Sequence, residues 1–155
     1  MSAFLTAFPG VVRAIVTDVG FVLGTTETST RVVKSRALWD TGAVTSVIDK
    51  SFVEKLGLVP FDTGRAYTAQ GFYESSMYLV DVLLPNNIIV KGLRVGDGEF
   101  QDFDFLIGMD VISLGDFHLT NDGNTVSKFV IPPESNPNNI TAQPSSAPCP
   151  NNFKA

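Results

Sequence analysis

The sequence predicts a mostly-β protein of one lobe with one or two short helices. Three observations carry that expectation. Apolar and polar residues alternate at a period of two in run after run. Clusters of Gly, Asn and Asp separate the runs. A single stretch, residues 49–57, has helical spacing together with signals at both ends. At 155 residues the chain has the length of one domain and no room for two large lobes.

Taken in order, residues 11–23 (VVRAIVTDVGFVL) interpose Arg13, Thr17 and Asp18 among Val, Ile and Phe, which reads as a strand. The polar GTTETSTR that follows reads as a turn, and residues 31–39 resume as a strand that delivers the chain to Asp40. Residues 45–48 are again β-branched and apolar. Asp40-Thr41-Gly42-Ala43 therefore falls in a tight turn between two extended pieces. In residues 49–57 (DKSFVEKLG), Ser51 and Glu54 have capping-box spacing, Asp49 helps at the start, and Gly57 stands where a left-handed stop belongs. Phe52, Val53 and Leu56 form its apolar stripe, suited to covering one end of a sheet.

Strand patterning then returns. Residues 67–69, a turn at Gln70-Gly71 and residues 77–84 make a hairpin-like unit; residues 88–95 lead through a turn at Asp97-Gly98 into a strand over 100–107. Residues 109–115 make one more helical turn. Residues 117–120 and 126–131 flank the hairpin signal Asn121-Asp122-Gly123-Asn124. From Pro132 onward Pro, Asn and Ser dominate and no core is possible, so the folded domain is expected over 1–131 with a tail over 132–155. There is no internal repeat.

Composition removes several function classes. A net charge of −5 with Lys and Arg scattered singly offers nothing to hold a phosphate backbone, so no nucleic-acid partner is expected. The first 13 residues are apolar but lack a cationic leader, contain Pro9 and meet Arg13 before a membrane-spanning length accumulates. They read as part of a soluble protein with no membrane partner. Cys149 is the lone cysteine and His118 the lone histidine, which rules out an intrachain disulfide and leaves nothing for a zinc cluster or a Cys-His nucleophile. The expectation is a cytoplasmic protein with no metal and no cofactor. No G-x-S-x-G, phosphate loop or dinucleotide fingerprint is present.

What remains is Asp40, an acid at the end of an apolar run, where an unpaired charge is costly. A second Asp-Thr-Gly, residues 62–64, follows Pro60-Phe61 and precedes Arg65 in what reads as a polar connection after the helix stop; there the three residues are ordinary turn formers. The first copy has a distant complement. Leu106-Ile107-Gly108 ends an apolar run, and its glycine would let that strand pass close beneath the Asp40 turn.

On these residues the chain resembles the retropepsin-like aspartic proteases, in their bacterial or cellular form. The resemblance runs from about residue 31 to 129 and rests on ALWDTGA, the helix ending EKLGL, the TAQG turn and LIGMDVISLGDF in that order. It implies a closed single-lobe β-barrel of the acid-protease type. It also implies an aspartic endopeptidase whose catalytic Asp40, Thr41 and Gly42 meet the same residues of a second copy across a two-fold axis. Two carboxylates in contact cannot both ionise, so they share a proton; one then activates water while the other protonates the substrate carbonyl.

By the same resemblance Thr41 ties the two turns together, Gly42 permits close approach and Ala43 keeps the floor narrow. Ala69, Gln70 and Gly71 lie at the tip of a flap over an extended peptide or unfolded protein. Ile107 and Gly108 support the turn and line a side-chain pocket, which implies hydrophobic residues flanking the cut. Two departures stand out. TAQGF is shorter and less glycine-rich than retroviral flaps, and Met109-Asp110 replaces the arginine that often braces the retroviral dimer. The same fold could also serve as a catalytically silent, dimerising peptide-binding module; the intact Asp40-Thr41-Gly42 favours the enzyme, since a pure binder has no use for facing like charges.

Overall fold

Alternation becomes strands, and six of them close on one another. The computed structural model describes residues 2–26, 29–132 and 140–141. In chain order the strands are β1 (Ser2–Ala7), β2 (Val16–Thr26), β3 (Ser29–Trp39), β4 (Val47–Asp49), β5 (Asp62–Thr68), β6 (Gly71–Leu84), β7 (Ile88–Gly98), β8 (Phe105–Ile107), β9 (Asp116–Asp122), β10 (Asn124–Ile131) and β11 (Ile140–Thr141). Two short helices, α1 (Lys50–Leu56) and α2 (Met109–Ile112), follow β4 and β8. Neighbouring strands run β7-β4-β8-β3-β2-β6, and β6 pairs back onto β7 to close the barrel. The β4–β7 and β3–β8 pairs are parallel and the rest of the ring antiparallel.

Two additions complete the fold. β5 pairs only with β6, so β5 and the first half of β6 project as a hairpin arm. β1, β10 and β9 form a separate antiparallel sheet. That sheet is held against the barrel by aromatic packing: Trp39 stacks on Phe117 at 5.2 Å and meets Phe129 at 5.3 Å and Phe4 at 5.8 Å. Each such pair is worth about 0.5–1.5 kcal/mol beyond the burial itself. The indole N–H donates to Thr17 Oγ1 at 2.9 Å, so the one polar atom of this buried ring is satisfied. Inside the barrel Phe21 packs edge-on against Phe105 at 5.1 Å and against Phe52 of α1 at 5.4 Å.

Several boundaries differ from the sequence reading, each for a local reason. Residues 2–7, read only as an apolar segment, form β1, because Phe4 finds Phe129 and Trp39 to pack on. The N-cap of α1 is Asp49 and not Ser51: its carboxylate accepts from Ser51 N–H at 2.9 Å. Gly57 is the left-handed stop that was expected, at φ 66°. Asp97-Gly98 is no turn but the end of β7. Asp97 can be buried there because its carboxylate accepts from Ser75 Oγ at 2.9 Å and Ser76 N–H at 3.0 Å. Of the strand expected over 100–107 only Phe105–Ile107 is extended. The second Asp-Thr-Gly opens β5 and is not a turn.

In the Pro/Asn-rich tail, Ile140–Thr141 pairs in parallel with Val90 and Lys91 of β7. Residues 133–139 and 142–155, Cys149 among them, lie outside the described residues. No helix among the described residues is long and apolar enough to cross a membrane.

Candidate active site

Asp40 follows Trp39 directly, so the turn that carries it starts from a ring packed on Phe4, Phe117 and Phe129. Its backbone N–H donates to Ile107 O at 2.9 Å, continuing the β3–β8 ladder by one step. The turn then closes on itself, with Ala43 N–H donating to Asp40 O at 3.2 Å and Gly42 N–H donating to Asp40 Oδ1 at 2.8 Å. A Cβ at position 42 would sit 3.1 Å from that same carboxylate oxygen, so glycine keeps the acid's flank open. Asp40 is half-buried, while Thr41 and Gly42 are exposed.

β8 and the first turn of α2 pass directly beneath. Met109 N–H donates to Ala43 O at 2.8 Å and Asp110 N–H to Val44 O at 3.2 Å. Gly108 is the contact point: a Cβ there would lie 2.7 Å from the Thr45 carbonyl carbon, 2.8 Å from its oxygen and 3.0 Å from Ala43 O. Those neighbours are backbone and cannot swing aside, so only glycine fits. The sequence-predicted residues Asp40, Thr41, Gly42, Ala43, Ile107 and Gly108 therefore form one hydrogen-bonded unit. Ile107 has no exposed surface and Gly108 is buried under the turn. Their placement is one of support, and in this protomer neither presents a surface to a ligand.

Sequence reasoning gave no role to the two residues that lock the unit. Ser46 is fully buried; its N–H and Oγ donate to Asp110 Oδ2 and Oδ1 at 2.8 and 2.7 Å. The same Oγ accepts from Gly108 N–H at 3.0 Å. Burial raises the proton affinity of Asp110, and the bonds from Ser46 and Val111 N–H only partly offset it, leaving its pKa above the ordinary carboxylate value. The signal was an acid two residues after Gly108, in a helix's first turn, paired with a serine six residues after Asp40.

Ala69 and Gln70 form the two-residue tip of the β5–β6 hairpin, and Gly71 opens β6 at φ 134°, a conformation open to glycine alone. Among the described residues the side-chain bonds at this tip are internal: Thr68 Oγ1 donates to Gly71 O and accepts from Gln70 N–H, both at 3.3 Å. The structure thus brings six of the nine predicted site residues together and sets the other three apart on the arm. The root of that arm does reach the Asp40 side of the barrel, through a cavity that Thr45 and Val47 share with Ala66, Tyr73 and Met77. No three His, Cys, Asp or Glu side chains among the described residues gather as metal ligands would.

A closed six-stranded barrel with an Asp-Thr-Gly turn seated on a hydrophobic-hydrophobic-glycine strand defines the class of retropepsin-type folds. The family described as aspartyl protease matches residues 29–113, more than half of the chain, and the chain belongs to that family. Among solved structures it is similar to a retropepsin-like aspartic protease from Rickettsia conorii: TM-score 0.53 and 16% identity, over 85% of this chain and 98% of that one. Weaker likenesses are the Simian Foamy Virus (mac) protease (TM-score 0.41, 19% identity, 61% of this chain and 89% of that one) and the retroviral protease-like domain of Ddi1 from Leishmania major (TM-score 0.41, 21% identity, 63% and 86%). No curated protein matches the chain.

Proposed function

We propose that the protein is an aspartic endopeptidase that cleaves extended peptides or unfolded proteins, acting as a homodimer in which two Asp40 carboxyls meet. The observation that carries this reading is the rigid seat of Asp40. The acid stands on a turn fixed from below by Gly108, Ser46 and Asp110, with Thr41 and Gly42 open to solvent beside it. One lobe supplies one such turn, so the second carboxyl comes from a second copy.

The surface around the turn supports that docking. Val44 and Met109, 61% and 37% exposed, belong to neighbouring segments joined by the Asp110 N–H to Val44 O bond, and they border the acid with apolar surface suited to burial. In the dimer the paired carboxyls hold one proton between them. The ionised member takes a proton from water as the oxygen attacks the scissile carbonyl, and the protonated member gives its proton to the carbonyl oxygen. Collapse of the resulting diol breaks the C–N bond, with the leaving nitrogen taking up a proton from the pair.

The reading is tested by incubating the purified protein with unfolded substrates from mildly acidic to neutral pH, beside Asp40→Asn and with a statine-type inhibitor. Sedimentation measures the oligomeric state in parallel. Cleavage lost in Asp40→Asn and blocked by the inhibitor in a dimeric protein is the expected result. Cleavage that survives the substitution, or comes from a strict monomer, rejects it.

A further inference from the structure

A cavity of about 450 Å³ opens in the barrel wall where β2 and β6 part. The two strands pair only through Gly20, Phe21 and Val22 against Leu83, Val82 and Asp81, and β2 then runs on to Thr26 without β6 beside it. Phe21, Leu23 and Val80 line the gap, together with Leu56 and Leu58 at the end of α1 and just beyond it. The volume falls within the span of small-molecule sites, and an apolar lining with a few polar groups is the composition such sites have. Arg31 also lines the cavity and precedes Asp40 by nine residues along β3, about 30 Å at ~3.3 Å per residue. The cavity therefore lies at the far end of the barrel from Asp40.

The edge of β6 is incomplete at this point. Met77 O accepts from Phe61 N–H, and Gly96, opposite Met77, donates its N–H to Ser46 O, so this pair turns its backbone groups away from the β6–β7 ladder. Leu79, two residues on and opposite Arg94, has the same orientation. Its N–H and C=O face the edge that β5 covers as far as Met77 and that β2 covers from Asp81 on. Extending the β5 register by two residues would set Pro60 against Leu79, and proline has no N–H to give. Among the described residues no backbone bond reaches Leu79 from that side, and its side chain is 54% exposed. One donor and one acceptor thus stand together beside an apolar cavity, a pattern that one residue of an extended chain satisfies.

Two charges of opposite sign line the same cavity. Arg31 on β3 is opposite Leu23 and Asp81 on β6 is opposite Val22, so β2 lies between them and their Cα atoms are about 10 Å apart, two strand spacings of ~4.8 Å. Asp81 Oδ1 accepts from Gly92 N–H at 2.8 Å, and the one ion pair among the described residues is Lys50–Glu99, so neither charge is neutralised within them. A guest with an anionic end, a cationic end and apolar groups between matches every feature of the lining. An extended chain of three residues spans about 10 Å.

We propose that this cavity binds a short apolar peptide of two or three residues with free termini. Its carboxylate pairs with Arg31, its ammonium with Asp81 and an amide unit with Leu79, while its side chains pack against Phe21, Leu56 and Leu58. The inference rests on the protease reading for the source of the ligand, since peptides with new free ends are what an endopeptidase releases. The binding itself is measured without turnover.

The probe is Leu-Leu-Leu, titrated into ¹⁵N-labelled Asp40→Asn protein beside N-acetyl-Leu-Leu-Leu, Leu-Leu-Leu-amide and Gly-Gly-Gly. The amide resonances of Leu23 and Leu79 are expected to move to saturation with Leu-Leu-Leu. Each blocked peptide should bind about 2- to 5-fold more weakly, the span of a solvent-exposed ion pair. Gly-Gly-Gly should bind at least about 10-fold more weakly, having no apolar side chain to bury. Arg31→Gln should weaken Leu-Leu-Leu as amidation does and leave Leu-Leu-Leu-amide unchanged. Asp81→Asn keeps an acceptor for Gly92 N–H and should reproduce the effect of acetylation in the same way.

If the Leu23 and Leu79 resonances stay still, or respond equally to Gly-Gly-Gly, or the blocked peptides bind as well as the free one, the peptide site is wrong. Cleavage of unfolded substrates by the wild-type protein then still upholds the protease reading. If the wild type cuts nothing while these resonances respond as expected, the peptide site stands and the protease reading falls.

Discussion

Asp-Thr-Gly occurs twice, 22 residues apart, and the two copies have opposite surroundings. Asp40-Thr41-Gly42 leaves a strand that ends on Trp39, turns tightly and rests on the backbone of another strand at Gly108. Asp62-Thr63-Gly64 opens an edge strand of the projecting arm, its three residues paired across to Met77, Ser76 and Ser75. Asp40 Oδ1 is held by the N–H two residues on, inside a turn that is itself bonded to β8; among the described residues Asp62 Oδ1 accepts only from the next residue's N–H, at an exposed position. A tripeptide fixes hydrogen-bonding potential and steric room. Whether those become a reactive centre depends on what lies beneath, which is set some 65 residues later.

The largest expected contrast is in activity. Asp40→Asn removes the acid that the reading places on the reacting water and is expected to lower kcat by at least about 10³-fold, within the span of lost acid–base groups. Asp62→Asn is expected to leave kcat within about 10-fold of wild type, because the exposed side chain, which among the described residues accepts from Thr63 N–H, touches no reacting atom. Comparable losses in the two variants would erase the distinction.

Stability should separate the glycines in the same way. Gly108→Ala drives a methyl into the backbone of Thr45 and Ala43, and a cost of about 3 kcal/mol in urea unfolding is expected, at the upper end for overpacking. Gly64→Ala meets the Met77 side chain, its sulfur at 3.2 Å and its Cγ at 3.4 Å, which is flexible enough to give way, and should cost under about 1 kcal/mol. Between these lies Ser46→Ala, which leaves the buried Gly108 N–H without its acceptor and Asp110 Oδ1 with Val111 N–H in place of two donors; the same measurement should show a loss of about 1–3 kcal/mol.

Much of this was legible in the residues alone. Alternation marked most of the strands, Gly57 marked the end of α1, and the pairing of Asp40 with Leu106-Ile107-Gly108 identified the seat of the turn. Misreadings arose where tertiary contacts overrode local signals. Asp97-Gly98 has the composition of a turn, yet Ser75 and Ser76 satisfy the carboxylate and let the strand run through it. Asp62-Thr63-Gly64 looks like a turn for the same compositional reason, but β6 offers a partner for each residue. β1 was missed because its apolar partners, Trp39 and Phe129, are far away in sequence. The Ser46–Asp110 lock was missed because serine and aspartate are common surface residues, and the weak signal of their positions gains meaning only when the fold bonds a half-buried Asp110 to a buried Ser46.

The smallest expected effect is one of pH, and it belongs to the seat of Asp40. The seat of Asp40 contains an acid whose pKa is raised by burial, so the native state holds the Asp110 proton more tightly than the unfolded chain does. The stability slope with pH follows the difference in bound protons, unfolded minus native, and that difference is negative between the ordinary carboxylate value of 3.8 and the raised native value. Stability from this group is therefore complete below 3.8 and is lost as the pH rises through the raised value. Asp49 runs the other way. Burial pushes its pKa up, but bonds from Ser51 Oγ, Phe100 N–H and Ser51 N–H outweigh that and hold it low, so its contribution is complete above 3.8 and is lost as the pH falls. Asp110→Asn should remove the falling limb and leave the rising one. In urea titrations at successive pH values, the stability of the variant relative to wild type should climb from pH 4 upward and then level off. Asp49→Asn should remove the rising limb instead. A pH-independent difference between Asp110→Asn and wild type would mean that burial at the seat of Asp40 does not raise the proton affinity of Asp110.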